Sequence, residues 1–114
     1  MADNVVYIDF ADGVKRVVNN TKLYLNLLAK FKNDNKLEGI EAAIKAGDME
    51  KARNAAHTLK GLSANLSLTE LNKQSLALET QIKAGAADPA QLDTVRTVYA
   101  RTIQEINKVI AENG

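Results

Sequence analysis

Residues 55–71 read AAHTLKGLSANLSLTEL, and they decide the fold because they hold the end of one helix and the start of the next. Apolar residues before position 67 recur at three- and four-residue spacing, which is typical of one buried helical face. Ser67 followed by Glu70 matches a capping box, in which both side chains bind N–H groups at a helix start. Leu66 and Leu71 are placed as the accompanying hydrophobic staple. The stretch therefore predicts two consecutive helices joined by a tight turn.

Capping and breaking residues divide the rest of the chain in the same way. Gly47 and Asp48 give a helix stop followed by an N-cap, and Asp88 before Pro89 gives an N-cap with proline at the first helical position. Residues 5–8 alternate weakly like a strand, but an isolated strand would have no partner. The predicted helices cover about residues 10–18, 21–32, a shorter segment after Asn35, and residues 49–66, 68–84 and 89–112.

These segments predict an all-α fold, an antiparallel four-helix bundle with one or two short additional N-terminal helices. At 114 residues the chain has the size of one domain, so residues 1–114 are interpreted as a single domain. The residues expected to face inward are Leu23, Leu27, Leu28, Phe31, Leu37, Ile40, Ile44, Leu71, Leu78, Ile82, Leu92, Val95, Tyr99, Ile103, Ile106 and Ile110.

Composition argues against several functional classes. The chain has no cysteine and one histidine, His57, which removes disulfides, thiolate nucleophiles, zinc sites and histidine-based triads from consideration. The net charge is +1 and tryptophan is absent, so neither a basic patch nor stacking platforms favour nucleic-acid binding. No apolar run approaches the roughly 20 residues of a membrane span, and the N-terminus lacks a signal-peptide pattern. A cytoplasmic location is therefore expected.

His57 lies opposite the apolar side of its predicted helix. At about 100° per residue, five apolar residues fall within about 40° of the direction opposite His57. These are Ala52, Ala55, Leu59, Leu62 and Leu66. Lys60, Gly61 and Ala64 share the side of His57, and Arg53 precedes them by one turn. The imidazole is therefore expected to face solvent.

The residues beside His57 favour phosphoryl chemistry. A mid-helix glycine such as Gly61 costs roughly 0.5–1 kcal/mol relative to alanine, and a plain exposed surface has no reason to accept that cost. Together with Ala64 it leaves a bare surface where another protein can approach. Lys60 supplies a cation that would stabilise a phosphoryl group on the imidazole. The pattern indicates a nucleophilic imidazole, a flanking cation and a cleared docking surface.

Residues 56–61, AHTLKG, resemble the signature of histidine-containing phosphotransfer (HPt) domains of phosphorelays. The resemblance extends over nearly the whole chain, at Ile8, Asp9, Gly13, Arg16, Tyr24, Leu28, Phe31, Gly47, Asp48, Ala64, Asn65, Leu78 and Glu79. It implies a four-helix bundle in which His57 receives a phosphoryl group from an aspartyl phosphate on one receiver domain and passes it to an aspartate on another. By the same resemblance, Lys60 assists with charge and Gly61 makes room.

The resemblance also implies the partners. They are receiver domains of a hybrid histidine kinase and of a response regulator, with no nucleic acid or membrane involved. Mg²⁺ in such a relay belongs to the receiver, so this chain needs no cofactor or metal, and it acts as a phosphoryl carrier without a kinase domain. Similar proteins are mostly monomeric, which implies a monomer here. The ends of the chain, close to the predicted bundle, favour a free-standing carrier.

Ser67 departs from the family pattern, since similar proteins commonly have glycine at this position. The capping box would make the turn without glycine, and the serine side chain would then stand at the rim of a docking surface that includes Arg53, Gly61 and Ala64. An autokinase is disfavoured because Thr58, rather than an acidic residue, follows the histidine. The remaining alternative is an adaptor bundle that binds receiver or kinase domains without carrying phosphoryl.

Overall fold

The computed structural model describes residues 5–113, and every regular element in this part of the chain is a helix. The helices are α1 (Phe10–Arg16), α2 (Thr21–Asn33), α3 (Lys36–Lys45), α4 (Met49–Asn65), α5 (Thr69–Lys83) and α6 (Pro89–Asn113). From α3 to α6 each helix packs against the next, α2 packs against α6, and α1 packs on α2. The short connections from α3 to α6 are typical of successive helices that pack antiparallel. The all-α bundle is confirmed, and so are the predicted helical segments, with small shifts at their ends.

Side-chain caps start the helices where the sequence places them. The side-chain oxygens of Asp9, Asn20, Asn35 and Asp48 each accept a hydrogen bond from the backbone N–H three residues on, at the starts of α1 to α4. Asp88 accepts from the N–H of Ala90, which is two residues on and is the second residue of α6. Such caps satisfy N–H groups that have no partner inside the helix. Local hydrogen bonding therefore sets most of the boundaries.

The core runs along the centre of the bundle and contains most of the apolar residues expected there. Leu23 is an exception, since it is 43% exposed while its neighbour Tyr24 is fully buried. The Tyr24 hydroxyl donates to the Leu66 carbonyl at 2.5 Å, so its polar tip is satisfied inside the protein. The buried face of α2 thus keeps Leu28 and Phe31 as predicted, with Tyr24 and Leu25 buried in place of Leu23. None of the helices among residues 5–113 has the length and apolar character needed to cross a bilayer.

The predicted capping box at Ser67 is wrong. Ser67 has a left-handed backbone with φ of 57°, and the first residues of α5 receive no side-chain cap. Its hydroxyl donates instead to the Asp12 carboxylate of α1, 2.6 Å away. The Glu70 N–H that needs a partner donates to the Val6 carbonyl at 3.1 Å. The left-handed conformation explains why glycine suits this turn, because glycine has no Cβ to strain there.

Residues 5–9 form a strap, a segment that lies across the same turn, rather than a strand. The N–H of Asp9 donates to the Ser67 carbonyl at 2.9 Å, and Arg101 lies 5.0 Å from the centre of the Tyr7 ring. Gly13 brings α1 onto α2, since a Cβ at this position would overlap the Tyr24 ring. The N-terminal segment is thus packed on the end of the bundle where α4 gives way to α5.

Candidate functional site

His57 lies in the middle of α4 with 62% of its side chain exposed. The buried side of α4 consists of Ala52, Ala56, Leu59 and Ser63, whereas Ala55 and Leu62 from the predicted stripe are only partly buried. At about 100° per residue, the core-facing direction is turned by about 50° from the predicted one. The small side chains of Ala56 and Ser63 are buried while larger neighbours are not, so apolar periodicity alone misplaces this face. His57 is exposed as expected, but it lies beside the interface with α5 rather than opposite the core.

A buried glutamate on α5 holds the imidazole. The Nδ1 atom of His57 lies 2.9 Å from Oε2 of Glu79, whose side chain is only 2% exposed. A carboxylate can only accept, so the imidazole carries its proton on Nδ1 and donates it to Glu79. The lone pair then lies on Nε2, on the exposed part of the ring. Glu79 therefore defines which nitrogen of His57 keeps its lone pair.

Two lysines complete the charge pattern around Glu79. Lys60 Nζ lies 3.2 Å from Oε1, and Lys83 Nζ lies 3.6 Å from Oε2. Burial alone would raise the pKa of Glu79, but hydrogen bonding from His57 and Lys60 and the positive charges of Lys60 and Lys83 hold it below its usual value. Glu79 is therefore ionised at neutral pH. The two ammonium groups stand close to the imidazole, where a phosphoryl group would add negative charge.

The surface next to His57 carries only small residues at positions 61 and 64, as the sequence predicts. Gly61 has open space where a Cβ would stand, so no packing requirement explains the glycine. Ala64 is exposed and Arg53 is partly exposed. We call His57, Gly61 and Ala64 the docking strip, in which His57 and Ala64 are exposed and Gly61 is partly buried.

Ser67 does not stand at the rim of this strip as expected. It is 5% exposed, and its hydroxyl points to Asp12 rather than to solvent. Among residues 5–113, no three His, Asp or Glu side chains come together to hold a metal ion.

Glu79 and Lys83 had no assigned role in the sequence, where Glu79 was only a point of resemblance. Their four-residue spacing places them on one helical face, which is a weak signal because many exposed pairs share it. The contact between Glu79 and His57 spans 22 residues and depends on how α4 and α5 align. Only the packed bundle brings these groups together.

An all-α bundle that exposes one histidine, orients it with a buried carboxylate and flanks it with lysines has the features of a phosphoryl carrier. The family model for the Hpt domain matches residues 27–108. The chain belongs to the Hpt domain family. Comparisons with curated proteins and with solved structures gave no match.

Membership establishes the general role. Hpt domains are phosphocarrier modules of two-component signalling; they lack kinase activity and interact with receiver domains of kinases and response regulators. His57, Glu79, Lys60 and Lys83 all lie inside the matched region, whereas α1 lies outside it.

Proposed function

We propose that this chain accepts a phosphoryl group on Nε2 of His57 from the aspartyl phosphate of one receiver domain and passes it to an aspartate of another. The donor receiver belongs to a hybrid histidine kinase and the acceptor to a response regulator, with the carrier acting as a monomer. The observation that carries the proposal is the Nδ1 contact of His57 with buried Glu79 at 2.9 Å. It supports a fixed tautomer with its lone pair on the exposed nitrogen.

Phosphoryl transfer from the donor forms one bond and breaks one. The Nε2 lone pair attacks phosphorus, the P–O bond to the donor aspartate breaks, and its electron pair leaves with the aspartate carboxylate. The product ring bears phosphorus on Nε2 and a proton on Nδ1, so it carries a positive charge. Glu79 is positioned to stabilise that charge through the same hydrogen bond. No proton needs to leave the ring during transfer.

The second transfer reverses these steps on another receiver. A carboxylate oxygen of the acceptor aspartate attacks phosphorus, the N–P bond breaks, and the electron pair returns to Nε2. The proton on Nδ1 helps here too, because the ring then leaves as a neutral imidazole rather than as an imidazolate anion. Mg²⁺ held by the receiver would supply charge on the phosphoryl oxygens, and this chain would need no metal of its own.

Lys60 is the cation best placed to contact the phosphoryl group during transfer. Its side chain is 28% exposed, one turn along α4 from His57, whereas Lys83 is 57% exposed on α5. In the resting state Lys60 pairs with Glu79, and a short change of rotamer would bring its ammonium toward phosphoryl oxygens on Nε2. Lys83 would then keep the buried carboxylate paired. This division gives each cation a separate task during transfer.

The direct test is to label the full chain with phosphoramidate and, separately, with phosphorylated receiver domains. We expect an acid-labile, alkali-stable phosphorylation, the behaviour of a P–N bond, and His57→Gln should abolish it because His57 is the single imidazole of the chain. Mass spectrometry of the intact chain and of peptides containing His57 measures it. Absence of label from phosphoramidate and from every receiver, with binding to receivers retained, would instead support the adaptor alternative.

A further inference from the structure

Two clefts flank the second half of α4, and Arg16 of α1 lines both. The larger, of about 750 Å³, has an apolar floor that includes Leu27, Phe31 and Leu62. The smaller, of about 210 Å³, is polar and borders Ala64 of the docking strip. Arg16 therefore lies between the two clefts, beside the surface that a partner of His57 must cover.

A short chain of hydrogen bonds holds Arg16 in this position. Its Nε donates to Oδ2 of Asp12 at 2.8 Å, and the Ser67 hydroxyl donates to the same oxygen at 2.6 Å. Ser67 is also fixed through its carbonyl, which accepts from the Asp9 N–H. Hydrogen bonds from Arg16 and Ser67 hold the pKa of Asp12 below its usual value, so the carboxylate is charged at neutral pH. The turn that ends α4 thereby sets the direction of the Arg16 side chain.

The guanidinium group keeps most of its binding capacity free. The side chain is 51% exposed, and within residues 5–113 only its Nε atom has a partner. The remaining N–H groups form a planar fork whose geometry matches a carboxylate. Lys15 on the same helix offers a second charge but lines neither cleft.

The smaller cleft lies within reach of a partner that docks on His57. Ala64 is seven residues from His57, which corresponds to about 10 Å along the helix. An interface of ordinary size covers about 800 Å² on each partner, or a disc of roughly 16 Å radius. A receiver centred on His57 therefore covers Ala64 and reaches the smaller cleft, which Arg16 also lines.

We propose that Arg16 is a receiver-recognition residue that binds a carboxylate of the docked receiver, with Asp12 and Ser67 as positioning residues that aim it. This inference rests on the proposed phosphotransfer function and adds to it a determinant of partner choice. Helix α1 lies outside the region that matches the family. The contact adds a charged determinant of partner choice beside the docking strip.

The test compares Arg16→Gln with the matched control Lys15→Gln in the full-length chain. Using a phosphorylated receiver that transfers to the wild-type chain, we expect KM to rise about fivefold in Arg16→Gln, with kcat within twofold, and no change in Lys15→Gln. The increase should shrink at high salt, because a charge pair at an interface rim is screened. Labelling by phosphoramidate needs no docking, so it should be equal in all three proteins.

Ser67→Ala tests the positioning chain without removing the guanidinium. It should raise KM in the same direction but less, and Arg16→Lys should recover part of the loss because it keeps the charge without the fork. An unchanged KM in Arg16→Gln would overturn the proposal, as would an equal loss of phosphoramidate labelling, which would indicate a structural role. A wild-type chain that phosphoramidate labels but no receiver does would refute receiver recognition while leaving the chemistry of His57 intact.

Discussion

The orientation of the His57 imidazole is set by a residue on another helix. A solvated imidazole has two tautomers, and a nucleophile is useful only when the attacking nitrogen carries the lone pair. Glu79 fixes the proton on Nδ1 from a site that is 2% exposed. It stays charged because hydrogen bonds from His57 and Lys60, with the charges of the two lysines, outweigh the effect of burial on its pKa. The orientation and tautomer of the His57 imidazole are therefore a property of the α4–α5 pair.

Glu79→Gln tests this dependence at the level of single residues. The variant loses a charge-assisted hydrogen bond of about 1.5–3 kcal/mol, so phosphotransfer from phosphoramidate should slow roughly tenfold to a hundredfold. Nitrogen chemical shifts of the His57 imidazole should show a larger share of the tautomer protonated on Nε2. Both quantities can be measured by NMR on the same sample.

Glu70→Gln is the control, since Glu70 lies on the same helix but binds Gln74 rather than His57. It should leave the tautomer and the transfer rate unchanged. A wild-type tautomer in Glu79→Gln would mean that the carboxylate does not orient the imidazole.

At the level of elements, most helix starts depend on residues nearby in the sequence, and one depends on distant residues. The starts of α2, α3, α4 and α6 have side-chain caps that can be identified within a few residues of sequence. The start of α5 does not, because Val6 from the N-terminal strap binds the Glu70 N–H. Ser67 has the residue type of a cap, but its left-handed backbone directs the hydroxyl to α1. A motif of four residues cannot reveal a competing partner 55 positions away.

The two open helical glycines, Gly61 on α4 and Gly39 on α3, provide a matched pair. A Cβ at either position would meet no atom within 4 Å, so both substitutions to leucine should increase the free energy of unfolding by roughly 0.5–0.8 kcal/mol through helix propensity. Only Gly61→Leu should impair docking, because only Gly61 belongs to the docking strip. We expect slower transfer from a phosphorylated receiver and unchanged labelling by phosphoramidate.

Urea unfolding and the two transfer assays measure these effects separately. Gly39→Leu should behave like the wild type in both transfer assays. Normal receiver transfer by Gly61→Leu would show that the bare surface has no role in docking.

Across the whole molecule, Tyr24 joins the N-terminal helix to the bundle. Its hydroxyl donates to the Leu66 carbonyl. Its ring packs against Phe10 and leaves no room for a side chain at Gly13. Burial, together with the negative charges of Asp9 and Asp12, raises the pKa of Tyr24 to about 12. One side chain thus links α1, α2 and the turn after α4.

The raised pKa predicts an alkaline loss of stability. The folded state favours the neutral phenol, so this contribution is complete below the ordinary pKa of 10.0 and is lost as the pH rises through about 12. Tyr24→Phe should lack this component and should be about 1 kcal/mol less stable at neutral pH, since the Leu66 carbonyl loses its donor. Urea unfolding of both proteins between pH 8 and 11.5 measures the difference.

The gap in stability between wild type and Tyr24→Phe should narrow as the pH increases. Because lysines and the other tyrosines titrate in both proteins, the comparison isolates Tyr24. A gap that stays constant up to pH 11.5 would contradict the assignment.

The sequence by itself determined the all-α class, most helix boundaries and the exposure of His57. Those features depend on caps, breakers and apolar spacing within one or two helical turns, so the information lies close together in the chain. Tertiary structure alone decided that Glu79 orients the imidazole, that α4 is turned toward α5, and that Ser67 binds Asp12. These depend on how separate helices align and on which of several possible partners a polar group meets. The residue pattern within one helix does not specify these contacts between helices, which form only when the bundle packs.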